Sequence, residues 1–325
     1  MLLTRRGTIA AGLGMLAARH AAVAQQGGYP THPITLIVPF GPGGGTDVLA
    51  RLLAERLASA LGQPMPVDNR PGASGTIGMA QLARARPDGY TLAIAPNGTF
   101  AMAPPLFHLS YDNDRAFAPI SLLATNTMMI CAHPSAPWRT LADLIAAAKA
   151  QPGRITYASA GVGVTNHLAV ELLLEMAGAE MLHVPYRSAA QAAQAVMTRE
   201  AALSFADASI ALPFMRAGEL RALAVTSAKR SAQAPEIPTA AESGLTGYQA
   251  SVDLGFFAPA GTPASIVVRL SEEARRAMLS DDMKAKLSTL ALDPIAGQPA
   301  EFAAYQAAES RKWSDLIRRR NIKLE

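Results

Sequence analysis

The 325 residues are half hydrophobic and 17% charged, with 29 basic against 25 acidic side chains. Three of the basic residues (Arg5, Arg6, Arg19) fall in the first 24 positions, so 26 basic residues face 25 acidic ones over the rest. With no lysine-rich face either, this excludes an electrostatic nucleic-acid binder. A single cysteine, Cys131, excludes an internal disulfide, and its apolar run Met128–Ala132 points to a core position.

The chain opens as an export leader. Arg5-Arg6 precedes the apolar run Thr8–Ala18, and Ala22-Val-Ala24 is a small-x-small cleavage site. Residues 1–24 therefore read as a signal peptide of the Sec or twin-arginine type, cleaved near Ala24, with a periplasmic mature chain. No cysteine stands at the cleavage site, so a lipid anchor is not expected. No later stretch offers the ~20 apolar residues of a membrane span.

Ile34–Val38 reads as a buried strand. Val48, Leu49, Leu52, Leu53, Leu57 and Leu61 recur at helical spacing after it, with Arg51, Glu55 and Arg56 on the other face. Between them lies Phe40-Gly-Pro-Gly-Gly-Gly-Thr-Asp47. Gly43, Gly44 and Gly45 allow close backbone approach, and a helix opening at Thr46-Asp47 aims unpaired N–H groups at one spot, a main-chain anion cradle. A Walker A loop would need lysine after the last glycine, and a dinucleotide fingerprint would need glycine at Thr46. A strand-to-helix turn without a ligand remains the plain alternative. Asp47 either caps the helix and orders the loop or touches a ligand amine or hydroxyl.

A second strand is expected over Gln63–Asp68, a second glycine-rich turn over Asn69–Gly78 and a helix over Met79–Arg86. A third strand, Tyr90–Ala95, ends at Asn97-Gly-Thr99. Strands alternating with helices imply a parallel sheet whose ligands lie at the strand carboxyl ends, where Gly43–Asp47 and Asn97 fall. The pattern shifts at Phe117–Leu123, and Met128–Ala132 begins another strand. After a helix over Trp138–Lys149, the strand Gly153–Ala158, the glycine turn Ser159–His167 and the helix Leu168–Met176 repeat the first device. Two such turns suggest helix ends facing each other across a cleft. Further strands are expected over Met181–Tyr186, Leu203–Asp207 and Leu220–Thr226. Helices at about Pro263–Leu279 and Pro299–Arg319 return to the first lobe. The two crossings divide the chain into lobe 1, residues 28–127 plus 250–325, and lobe 2, residues 128–249, joined by extended strands suited to hinge closure.

Catalytic chemistry is thin. No H-E-x-x-H or cysteine-histidine cluster supports a metal site, and no motif calls for a cofactor. Tyr157-Ala-Ser-Ala-Gly161 lacks the first glycine of a nucleophile elbow. His167 as a base would need a nucleophile and an orienting carboxylate that spacing does not supply, so it is expected to pack under the cleft or line it. His32, His108, His133 and His183 read as ordinary surface or packing residues. Asp207, at a strand end, carries the same two readings as Asp47.

In order along nearly the whole mature chain, several motifs resemble one family. They are Tyr29–Ile34, Val38–Asp47, Asp68–Gly78, Arg86–Leu92, Tyr157–His167, Val184–Arg187, Ala217–Val225, Ile237–Thr239, Glu242–Gly244 and Phe257–Pro263. The family is the substrate-binding proteins of tripartite tricarboxylate transporters, the Bug receptors. The resemblance implies an α/β two-lobe periplasmic binding protein of the Venus-flytrap type II kind, each lobe a mainly parallel sheet flanked by helices. It implies a non-enzymatic receptor, without cofactor, for a small organic acid or amino acid. The carboxylate would be held by main-chain groups and water at the two turns. Those turns align with Phe40, Gly43, Gly44, Gly45, Thr46 and Asp47 and with Ser159, Gly161, Gly163, Thr165, Asn166 and His167, with Asp207 a further candidate. The expected partners of this monomer are the permease subunits of a tripartite transporter, or a sensor ectodomain in a signalling alternative. An exported hydrolase using His167 with Ser159 is the rival of another class.

Overall fold

The computed structural model describes residues 28–324; the leader and its cleavage site lie outside the described residues. Ten strands form one continuous ladder in the order β2-β1-β3-β9-β4-β7-β5-β6, with β8 and β10 paired to β4 off that path. β1 (Thr35–Val38) pairs in parallel with β2 (Val67–Asn69) and β3 (Thr91–Pro96). The strand expected over Gln63–Asp68 starts late because Pro64 and Pro66 lack an N–H. Their carbonyls still accept from Ile34 and Leu36, each at 2.9 Å.

The centre of the ladder is antiparallel, which the alternation of strands and helices does not announce. β4 (Phe117–Ala132) is one 16-residue strand rather than a shift in pattern followed by a strand. Its residues up to Thr127 pair with β9 (Ser251–Pro259), and Met128–Ala132 pair with β7 (Leu203–Asp207) and β8 (Arg221–Val225). β5 (Thr156–Ser159) is parallel to β6 (Leu182–Pro185) and to β7. β10 is the short pair Asp293–Pro294. Period-two alternation on β9 sends Phe256 and Phe257 to opposite faces, and both are fully buried, each in a different core cluster.

Nine helices flank the ladder among the described residues. α1 (Gly45–Leu61) buries Leu49, Leu53, Leu57 and Leu61 as its spacing predicts and ends at Gly62 in the left-handed conformation. α2 (Thr76–Ala83) starts three residues before the expected helix. It is followed by α3 (Leu141–Ala150), α4 (Thr165–Ala177), α5 (Ala189–Met197) and α6 (Ala208–Arg216). α7 (Ala264–Leu279) and α9 (Pro299–Arg319) match the two expected C-terminal helices, with the short α8 (Asp281–Thr289) between them. α9 crosses from one half to the other. Its Phe302 joins an edge-to-face aromatic group with Phe100 and Phe257, and its last two turns bury Trp313 and Leu316 in the cluster that also holds Leu168 and Leu172 of α4. No described helix is long and apolar enough to cross a membrane.

Candidate ligand-binding site

The turn after β1 is held from behind. The Asp47 carboxylate is buried and accepts four hydrogen bonds, from Gly43 N (2.9 Å), Arg51 Nε (2.9 Å), Arg51 Nη2 (3.0 Å) and Asn69 Nδ2 (2.8 Å). Asn69 Nδ2 also donates to the Phe40 carbonyl at 3.0 Å and so ties the loop to β2. Burial pushes the carboxyl pKa up, but the Arg51, Gly43 and Asn69 bonds together more than offset it and bring it down to about 2. Asp47 therefore orders the loop, although one edge of it reaches the cavity. The first helical bond runs from Val48 N to the Gly44 carbonyl at 2.9 Å, so the amides of Gly45, Thr46 and Asp47 have no acceptor within the helix.

The turn after β5 is built in the same way with different parts. α4 starts at Thr165, with its first bond from Leu168 N to the Val164 carbonyl at 3.0 Å. Gly163 adopts φ +76°, and its N–H donates to His167 Nδ1 at 3.1 Å. The Asn166 side-chain oxygen accepts from Ala160 N at 3.3 Å. Beneath the turn His167 stacks on His183 with ring centroids 4.2 Å apart, and His183 stacks on Tyr157 at 4.8 Å. Tyr157 and Arg320 both bond the buried carboxylate of Glu171. Burial, then the neighbouring His183, lowers the His167 pKa to about 4, and burial also lowers that of His183.

The two turns meet across a cavity of about 340 Å³. One wall carries Phe40, Gly44, Gly45, Thr46 and Asp47; the facing wall carries Gly163, Val164, Thr165 and Asn166. Ser74, Gly98 and Thr99 close one side and Ala160, Ala189, Asp207 and Val252 contribute the rest. The walls nearly touch at Gly98, where an added Cβ would stand 2.9 Å from Thr165 Oγ1. Thr99 is set by a bond from its hydroxyl to the Ser74 carbonyl at 2.9 Å, beside the left-handed residues Ala73 and Ser74. Larger hollows exist elsewhere on the surface, but none of these combines two helix starts with a charged side chain held at a strand end.

A sequence profile of the tripartite tricarboxylate transporter family receptor, TctC, matches residues 49–322. The chain belongs to the TctC family. A relative from Pseudomonas sp. strain P51, described as the UPF0065 protein in the tcbD-tcbE intergenic region, is 35% identical and aligns over 96% of this chain and 94% of its own. The solved structure of R. palustris Rpa4515 with adipate is 34% identical, with a TM-score of 0.77, over 91% of this chain and 99% of that one. MatC from Rhodopseudomonas palustris with bound malate is 31% identical, with a TM-score of 0.73, over 89% and 100%. The mixed α/β architecture is that of TctC periplasmic solute-binding proteins.

Within this TctC fold, Phe40, Gly44, Gly45, Thr46, Asp47, Gly163, Thr165, Asn166 and Asp207 come together around the cavity. Five residues expected there do not line it. Gly43 sits behind the loop, and its N–H is taken by Asp47. Asn97 is fully buried and turned to β9, where its amide donates to the Ser251 carbonyl at 2.9 Å. Ser159 is fully buried; its hydroxyl lies 2.6 Å from His183 Nε2 and 3.0 Å from the Gly161 carbonyl. Gly161 serves that inner network at φ +125°. His167 belongs to the first turn of α4 rather than to the glycine turn, and it points inward to pack under the cleft. His183 is half-buried and completes the support beneath the turn, so of its surface and packing readings the structure shows packing. Cys131 is buried as expected, and burial pushes its thiol up to about 12. Among the described residues no group of three His, Cys, Asp or Glu side chains could hold a metal.

Proposed function

We propose that this TctC receptor captures a small carboxylate in the periplasm and hands it to the membrane subunits of a tripartite transporter. The observation that carries the reading is a cavity between two helix starts, lined by no cationic side chain among the described residues. Amides and aligned dipoles at two helix N-termini favour an anion by about 0.3–2 kcal/mol each. Charge-assisted N–H bonds add about 1.5–3 kcal/mol apiece, so a few of them approach the ~8 kcal/mol of micromolar binding. The relatives crystallised with adipate and malate support the same class of guest.

The receptor works without turnover. Ser159, the nucleophile of a hydrolase reading, is sealed from the cavity and hydrogen-bonded to Gly161, and His167 already accepts from Gly163. Closure of residues 28–127 plus 250–325 onto 128–249 is the step that encloses the ligand. Its hinge is at Thr127-Met128 of β4, where pairing passes from β9 to β7 and β8.

A melting screen against mono-, di- and tricarboxylates and amino acids tests the proposal. A ligand at roughly 100 times its Kd adds about 2.7 kcal/mol of stability, a rise of several degrees. No rise with any acid overturns the reading; turnover of an ester that is lost in Ser159→Ala replaces it with an enzyme.

A further inference from the structure

Among the described residues, only two charged side chains line the cavity, and both are acidic. Asp47 is committed to the four bonds that order its loop. Asp207 has no such commitment. It stands at the last position of β7 and precedes α6, yet its side chain does not cap that helix. Among the described residues none donates a hydrogen bond to its carboxylate, and burial alone pushes its pKa up, to about 6. The wall residues Ala160, Ala189 and Val252 present apolar side chains.

This arrangement is at odds with a guest that is merely an anion. Two helix starts invite a carboxylate, while a third element holds a carboxylate of its own in the same small volume. A plain acid enclosed there would leave Asp207 without a donor and set like charges together, both unfavourable once water is excluded. A guest with a donor substituent satisfies both ends: its carboxylate meets the amides and its hydroxyl or ammonium donates to Asp207.

We propose that Asp207 is the specificity-determining residue of this site and that the ligand is a carboxylic acid bearing a hydroxyl or ammonium group that donates to Asp207. The inference rests on the carboxylate-receptor reading and narrows it. Sites with a buried polar group waiting for a partner discriminate strongly against analogues that lack it, whereas apolar walls discriminate weakly.

Calorimetry on the mature protein with two matched series provides the test: succinate, malate and aspartate, then glutarate, 2-hydroxyglutarate and glutamate. In at least one series a hydroxyl- or amino-bearing acid binds 10-fold or more tightly than the plain diacid. Asp207→Asn, whose amide can donate to a second carboxylate, narrows that gap to under 3-fold. Asp207→Leu abolishes the preference, and a melting temperature within a few degrees of wild type shows that each variant is folded. Equal binding of plain and substituted acids by the wild type, or a preference that survives in both variants, overturns the assignment and leaves the carboxylate receptor standing. If none of the six acids binds, the receptor reading falls first and this inference with it.

Discussion

Asp47→Asn removes a charge and one of the two accepting oxygens, and the charge-dependent part of its effect can be worked out in advance. The folded-state pKa of Asp47 is held at about 2 against an ordinary 3.8. At about 1.4 kcal/mol per pH unit this depression stabilises the fold by about 2 kcal/mol at neutral pH. The Arg51 bonds lower the pKa most, followed by the Gly43 and Asn69 bonds, and because Arg51 is half exposed its share is discounted for screening. The sign follows from the direction of the shift. Stabilisation is complete above the unfolded-state pKa and is lost as pH falls through the folded one, so about half remains at pH 3. The charge-dependent part of the loss in Asp47→Asn should therefore lower the melting temperature by about 4–8 °C at pH 7 and by about half as much at pH 3, on top of a pH-independent cost of the lost acceptor. Paired urea titrations at the two pH values measure the difference. A cost below about 0.5 kcal/mol at pH 7, or an equal cost at both, would refute the view that this carboxylate orders the loop by accepting its N–H groups.

Three other substitutions probe separate parts of the molecule. Gly98→Val fills the space opposite Thr165 Oγ1 and should weaken acid binding at least 10-fold; calorimetry with a ligand from the screen measures it, and a cooperative melting transition shows that the variant is folded. His167 has a folded-state pKa depressed to about 4, with His183, Glu171, Tyr157 and Arg320 around it, so the unfolded state binds its proton first on acidification. Wild-type stability should fall by about 2–3 kcal/mol between pH 7 and pH 4 on this account, and His167→Gln should flatten that slope in denaturation series. Arg320→Ala strips the buried Glu171 carboxylate of its cation and should cost about 2–4 kcal/mol in chemical denaturation, a loss that Glu171→Gln in the same chain partly restores.

The sequence makes the two glycine turns legible because their chemistry is local. Strand, glycine and helix start are consecutive, and whichever residue opens the helix must leave its N–H groups unpaired. Side-chain direction at a strand end is not local. Asn97 and Thr99 flank Gly98, yet only Gly98 and Thr99 reach the cavity, because the pairing of β3 with β9 carries Asn97 inward to the Ser251 carbonyl. Ser74 was within reach, since Asn69–Gly78 reads as a glycine-rich turn; its bond to Thr99 depends on how two distant turns pack. Ala189 and Val252 carry no chemical signature at all, and only the fold brings them to the site. The tie of His183 to the second turn is not local either: 24 residues separate it from Ser159, and the parallel pairing of β5 with β6 brings the two within bonding distance.

The final helix closes the molecule. Arg319 and Arg320 clasp Glu175 and Glu171, partners 144 and 149 positions earlier, and Trp313 plugs a seam shared with both halves. The cluster shared by both halves is therefore incomplete without these last residues, whereas the other two core clusters contain no residue of this helix.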